Sequence, residues 1–317
     1  MDAKPSLKPI GLLVIVVSAA ALLSFILFPD PFFGWVELLF CPDHALSPDG
    51  QRMLSSTLYL GTSFMLVSGL GLVKAQQPEW RQKIGSVFFT EPLTGFKPAV
   101  PAPLAVLLLS TTIGLGLIAA MKLACRSPEL FHFLYAKDKG LLDLFVPFTM
   151  LFSAALLFTA VWRLIKNPTL RKPFPAAPLV YLTIIAALVF YAGEEISWGQ
   201  DFAHWETPAL FAGNLEKQTN IHNYFNTVFD SIYISLSLIL AVVILSTLLE
   251  YSGRWLLFKR LFLPHPSLIG LAFLIAVIAI GWYREQELLE EMLAAFFLFY
   301  SLRLFSCFRS AHFTLQP

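Results

Sequence analysis

The residues with the clearest capacity for chemistry sit in the stretch YAGEEISWGQ, 191–200. Glu194 and Glu195 are adjacent, and they close an apolar run. If a helix continues through the motif, Glu194, Trp198 and Asp201 share one face at i, i+4 and i+7. Adjacent helical side chains point about 100° apart, so the two carboxylates need not share one proton. The polar segment 199–230 follows and carries His204, Glu206 and Glu216, then Asn220, His222 and Asn223, and finally Asn226 and Asp230. Two chemistries fit these residue types. Carboxylate and neutral imidazole together bind a divalent metal such as Zn, Mn or Fe, with Glu195, His204, Glu216 and His222 as candidate ligands. A carboxylate held in low dielectric suits general acid/base work, with Glu194, Glu195, His222 and Asn223 as the candidate catalytic group.

The position of the pair sharpens the question. A span beginning near Pro178 places Glu194 about 24 Å along its axis at about 1.5 Å per residue, within a hydrocarbon core about 30 Å thick. A charge in the outer part of that core is costly unless it faces protein, water or a partner. A later start or a tilt would move it into headgroups at little cost. The plain alternatives are a solvated loop, an interfacial His204–Trp205 pair, and caps on the next span from Asn223 and Asn226. Thr207-Pro208 reads as the N-cap and first-turn proline of a short helix, with Gly213-Asn214 as its stop. Such a helix would lie on the surface and return His222 towards the glutamates.

The elements that must position these residues are membrane helices. Of 317 residues 57% are hydrophobic and 14% charged, with mean hydropathy +0.69, where soluble chains carry roughly a quarter charged residues. The expected fold is all-α and polytopic, a single integral membrane domain over 1–317. Eight candidate spans lie near 10–28, 54–73, 103–121, 141–164, 178–198, 226–249, 267–283 and 288–305. The first is too long, and lacks a small-x-small cleavage site, to be a signal peptide. With the N-terminus inside, fifteen of the 22 Lys and Arg fall in inside segments. The positive-inside rule then puts both termini in the cytoplasm and 199–225 outside, as an extracytoplasmic loop. All seven Trp fall at or near span ends or in loops, where indoles favour the headgroup boundary.

Other features are weaker signals. Residues 33–40 read as a short interfacial helix, and the Pro-rich stretches 91–103 and 167–178 as extended structure on the membrane surface. Cys41 and Cys125 fall outside, either bridged or as two thiols, and there is no CxxC. Glu287, Glu290 and Glu291 open the last span; they complement its helix dipole, and would enlarge the glutamate site, together with Asp201 and Asp230, if spans five and eight are neighbours. Ser110, Thr111 and Thr112, and Ser235 with Ser237, are the main polar groups near midplane and suit helix–helix hydrogen bonds. Arg303 reads as a snorkelling side chain. No span carries a charge near its centre, which argues against proton-coupled transport, and no span carries an interior His for haem.

"GEEISWGQ" with the following "NIHN", 220–223, resembles a signature of uncharacterised bacterial multi-pass membrane proteins over about thirty residues. "EEISWG" is also partly similar to the first motif of CAAX-type intramembrane proteases, an adjacent Glu pair followed by an aromatic and Arg-Gly. "HNYFN", 222–226, fits the His-x-x-x-Asn form of a later motif in that family. That resemblance implies a Glu-activated water in the membrane, with Glu and His as base and ligands. Gly199 and Gln200 stand where Arg-Gly is expected, and the intervening Phe-x-x-x-His motif is missing.

The combined expectation is a protein of the lipid bilayer, in a bacterial inner membrane, with no nucleic-acid partner. Its leading function is that of a membrane-embedded enzyme with an outward-facing acidic/His pocket. The substrate would be a lipid or lipid-linked molecule, and the reaction a hydrolysis or transfer with or without a divalent metal. The alternative is a non-catalytic assembly or transport component whose extracytoplasmic loop binds a membrane protein partner.

Overall fold

The computed structural model describes residues 8–31, 102–124, 128–135, 140–166, 175–213, 217–221, 226–247, 258–259, 261–281 and 286–309, with scattered positions between 34 and 80. Backbone amides have no water to bond in a bilayer core, so an apolar chain of this kind satisfies them within helices. The described residues form α1 (Lys8–Leu27), α2 (Ala102–Ala124), α3 (Pro128–Tyr135), α4 (Leu141–Lys166) and α5 (Ala177–Glu195). They continue as α6 (Gln200–Ala203), α7 (Asn226–Ser246), α8 (Ile269–Gly281) and α9 (Gln286–Arg309).

Four of these helices are long and apolar enough to cross a membrane: Ala105–Lys122, Leu144–Lys166, Ala177–Glu195 and Glu287–Phe308. They correspond to the expected spans three, four, five and eight. Spans one, six and seven appear as shorter apolar helices, Leu12–Leu27, Ile234–Ser246 and Pro266–Ala279. Span two, the interfacial helix at 33–40, and the Cys41 and Cys125 thiols lie largely or wholly outside the described residues. The short helix α3 fell in a stretch read as loop. Its sequence, SPEL at 127–130, carries the first-turn proline and acid of a helix start.

The chain divides into two units, 1–87 with 280–282, and 88–279 with 283–317. In the first, α1 buries Ser18 and Phe25, and Phe25 meets Tyr59 edge-on at 5.1 Å. In the second, α9 packs on α4, α2 and α7, and α4 packs on α5. Leu157, Leu164, Leu271, Ile275, Leu288, Met292 and Leu304 are fully buried there. Large apolar side chains on α5, among them Leu179, Val180, Val189 and Phe190, remain exposed, as a lipid-facing surface requires.

Ser110 and Thr111, expected to bond between helices, bond within their own helix. Ser110 and Thr111 both donate to the carbonyl of Leu107, and Ser153 donates to that of Thr149 at 2.7 Å. A hydroxyl one turn along satisfies itself on its own helix. What joins α2 to α8 is close packing at small residues. A Cβ on Gly270 would run into Thr111, within 3.2 Å of its Cβ and 3.3 Å of its Cγ2. A Cβ on Gly114 would meet Leu274 at 2.8 Å.

At the Ala177 end of α5 a polar lock ties three elements. Tyr181, fully buried, donates its hydroxyl to the carbonyl of Leu261. Tyr300 donates to Phe262 at 3.0 Å, and Arg303 donates to Leu263 at 3.0 Å. Three consecutive carbonyls thus each receive a side-chain donor. Arg303 is therefore a capping residue for this turn and does not simply snorkel. His265 caps the next turn, Pro266–Leu268, accepting from the Ser267 amide at 3.1 Å.

Gly270→Leu is expected to lower the unfolding temperature of the purified protein by several degrees, since overpacking costs about 1–3 kcal/mol. Gly116, with nothing within 4 Å of its Cβ position, is the control, and Gly116→Leu should leave the unfolding temperature unchanged. Equal effects of the two would reject the packing account.

Candidate functional site

Helix α5 ends at Glu195, three residues short of the expected span end. The reason is local. Ser197, Trp198 and Gly199 take left-handed backbone conformations, with φ of 47°, 54° and 91°. Glycine adopts that region freely, but each non-glycine residue there costs about 1–2 kcal/mol. The helix therefore does not continue through the motif, and the expected i, i+4, i+7 face does not form as a helical stripe. Its first pair still meets. The Trp198 indole folds back over Gly193 and donates its Nε1–H to Glu194 Oε1 at 2.8 Å. A Cβ on Gly193 would stand 2.9 Å from two ring carbons, so only glycine lets the ring lie this close. Phe190 closes the same ring edge-on at 5.9 Å.

The second oxygen of Glu194 is also engaged. Glu194 Oε2 accepts from the backbone N–H of Ile221 at 2.6 Å. Glu194 is 3% exposed. A buried carboxylate is tolerable when charge-assisted hydrogen bonds occupy both its oxygens. Glu194 is thus a staple: it holds the left-handed turn through Trp198 and draws the returning loop to the end of α5. Glu195, its neighbour, is half-buried.

The loop between is a hydrogen-bonded cap. Gln200 donates Nε2–H to Thr207 at 2.9 Å. Its Oε1 accepts from both the amide and the hydroxyl of Thr219, at 2.6 and 2.7 Å. Thr207 donates to the carbonyl of Lys217, and Trp205 donates its indole N–H to Thr219 at 3.3 Å. Asn220, 1% exposed, donates to Ser197 at 3.2 Å and to Gln218 at 3.3 Å. The expected short helix is present as one tight turn, Ala209–Phe211. Pro208 is its N-cap residue, and no side chain caps it. Thr207 spends its hydroxyl across the loop instead. The residues of the cap that sequence reasoning missed are therefore Ser197, Gln200, Gln218 and Thr219, while Thr207, read as a helix N-cap, bonds across the loop instead. Their density of amide and hydroxyl groups was visible, but their pairing was not.

The other candidates distribute as follows. His204 is exposed, with φ of 55°, just beyond α6. Asp201 lies on α6 and Asp230 on α7, and only their backbones are described. Glu216, His222 and Asn223 lie outside the described residues. Ile221, described, brings the chain beside Glu194 immediately before His222. Glu287 is exposed at the start of α9, while Glu290 and Glu291 are buried. Helices α5 and α9 do meet, but the ring contact between Tyr181 and Phe308 is at the far end from these acids. Among the described residues no three of His, Cys, Asp and Glu gather into a group able to hold a metal. The metal candidates Glu195 and His204 accordingly stand without Glu216 and His222, which lie outside the described residues.

Compared with known proteins, the chain matches no family model, no curated protein and no solved structure.

Glu194→Gln keeps one acceptor but turns an amide donor towards a second donor. It should lower stability by about 1.5–3 kcal/mol, the range for hydrogen bonds to a charged group, and speed hydrogen exchange at the Ile221 amide. Gly193→Ala should speed the same exchange by displacing Trp198. Glu195→Gln should leave exchange at Ile221 unchanged. Unchanged exchange at Ile221 in both Glu194→Gln and Gly193→Ala would reject the staple.

Proposed function

We propose that the chain is a membrane-embedded enzyme acting on a lipid or lipid-linked substrate at the outer leaflet of a bacterial inner membrane, as a hydrolase or transferase. The observation that carries this reading is a pair of adjacent carboxylates at the end of a long apolar helix, Glu194 buried with both oxygens bonded in the cap and Glu195, next in the chain, half-buried. In this reading Glu194 fixes the geometry and Glu195 is the general base. Glu195 takes the proton of an attacking water or hydroxyl and delivers it to the departing oxygen. Glu194 is a positioning residue, acting through Trp198 and Ile221. His222 and Asn223 directly follow Ile221 in sequence and remain the candidates for a second proton-transfer group and its orienting amide. A metal-dependent form of the reaction would draw on Glu195, His204, Glu216 and His222.

A specific observation favours the second reading. Trp198, Trp205, Leu210 and Ile221 are all exposed on the cap, and an apolar surface of this kind also suits a membrane protein partner in a non-catalytic assembly or transport component.

The test is lipid turnover in liposomes made from bacterial lipid extract, followed by mass spectrometry. Wild type should convert at least one lipid, and Glu195→Gln, folded to the same unfolding temperature, should be slower by about 100-fold or more. Loss of turnover on chelation, with recovery on adding Zn or Mn, would establish the metal-dependent form. Full turnover by Glu195→Gln would remove that residue from catalysis. No turnover by folded wild type would favour the assembly reading.

A further inference from the structure

The two tryptophans of the cap are used in an unusual way. An interfacial indole ordinarily leaves its apolar body in lipid and its N–H in the wet headgroup layer. Here both N–H groups are turned into the protein, Trp198 onto Glu194 at 2.8 Å and Trp205 onto Thr219 at 3.3 Å. Both rings stay substantially exposed, at 45% and 41%. What they offer outward is therefore the ring and not the donor. Both pack against the same short stretch of backbone: Trp198 lies over Gly193, and the outer edge of Trp205 lies against Gly199, where an added Cβ would be 3.6 Å away. Between Gly193 and Gly199 in the chain stands Glu195, half-buried.

Anchored indole faces on an acidic segment have one natural ligand chemistry. The face carries negative quadrupole density and attracts cations, ammonium groups above all, with Trp the strongest of the aromatic residues. The charge of the segment agrees. Residues 191–221 carry Glu194, Glu195, Asp201, Glu206 and Glu216 against a single base, Lys217, a balance that repels a purely anionic headgroup. The surface is also continuous with lipid-facing helix, since Phe190, exposed on α5, is in edge contact with Trp198.

We propose that Trp198 and Trp205 bind the ammonium group of a zwitterionic lipid headgroup. This rests on the enzyme reading above in one respect, that the cap forms part of the substrate site, and it adds the substrate class: a lipid bearing a positively charged amine. The rings hold the ammonium, and the linkage to be attacked lies further along the headgroup.

The experiment uses the full chain in detergent, titrated with dihexanoyl-phosphatidylcholine, dihexanoyl-phosphatidylglycerol and tetramethylammonium, with binding read by native mass spectrometry and by competition. Phosphatidylcholine should bind about fivefold or more tighter than phosphatidylglycerol, the span of about one cation–π contact. Tetramethylammonium should compete with it, more weakly than the intact lipid binds; competition at equal affinity would mean a free amine is the ligand and would overturn the lipid assignment. Trp205→Leu keeps apolar bulk and should weaken phosphatidylcholine about fivefold, while Trp205→Phe, which retains a ring, should recover part of the loss. Trp198 is left in place because its substitution would also release Glu194. Equal affinity for the two lipids, or unchanged binding in Trp205→Leu, would overturn the proposal. A headgroup preference without lipid turnover would sink the enzyme reading alone, and turnover without a headgroup preference would sink this one alone.

Discussion

The Glu194 carboxylate is the interaction on which the cap depends. It is the last buried acid of a membrane-spanning helix, and burial of a charge there is expensive unless its lone pairs are occupied. Two donors twenty-three residues apart in sequence, Trp198 Nε1–H and the Ile221 amide, converge on its two oxygens. Each contact is a charge-assisted bond of about 1.5–3 kcal/mol. That range is comparable with the cost of holding Ser197 and Trp198 in left-handed conformations, about 1–2 kcal/mol each. The strained turn and the buried acid thus require each other. Without the turn, the indole could not reach back over Gly193; without the acid, the indole and the Ile221 amide would lose the acceptor that ties them to the helix end. Backbone strain of this sort persists where surrounding contacts over-determine it, and such places are frequently functional.

Helix α5 is fixed at its opposite end by a different device. Tyr181 joins Tyr300 and Arg303 in saturating the carbonyls of Leu261, Phe262 and Leu263. The helix is therefore pinned by a tyrosine in its second turn and a glutamate in its last, with an exposed apolar face between them. A span held only by lipid contact could slide or rotate along its axis. One bonded at both ends holds its last turn, and the loop that returns to it, in a defined position.

Much of this was legible in the sequence, and the limits have physical causes. Apolar length alone marked the helices, because a bilayer leaves so few alternatives. The adjacent glutamates and the i+4 tryptophan marked the site, and Trp198 does meet Glu194. The assumption of a continuing helix failed at Ser197–Gly199, where the one advance signal was a glycine just past the acids. That Glu194 takes the Ile221 amide could not be read, because that partner is supplied by a distant part of the loop. The same applies to Tyr181, whose acceptor lies eighty residues away. Polar residues that bond within one helical turn, such as Thr111 onto Leu107, behave as local chemistry dictates and gave a false impression of interhelical contacts.

The left-handed turn also decides where the polar loop lies. Had α5 run on to Trp198 and Asp201, the next residues would have risen directly away from the helix end, carrying the polar groups of the loop with them. Three successive residues with positive φ instead reverse the winding of the chain. Gln200 then meets Thr207 and Thr219, and Asn220 lies against Ser197. The loop is folded down over the helix terminus, so its side-chain amides and hydroxyls bond to one another and its indole rings face outward. A surface built this way keeps its polar interior closed and offers aromatic faces to the surroundings, Trp198 and Trp205 both remaining exposed while their N–H groups are bonded within the cap.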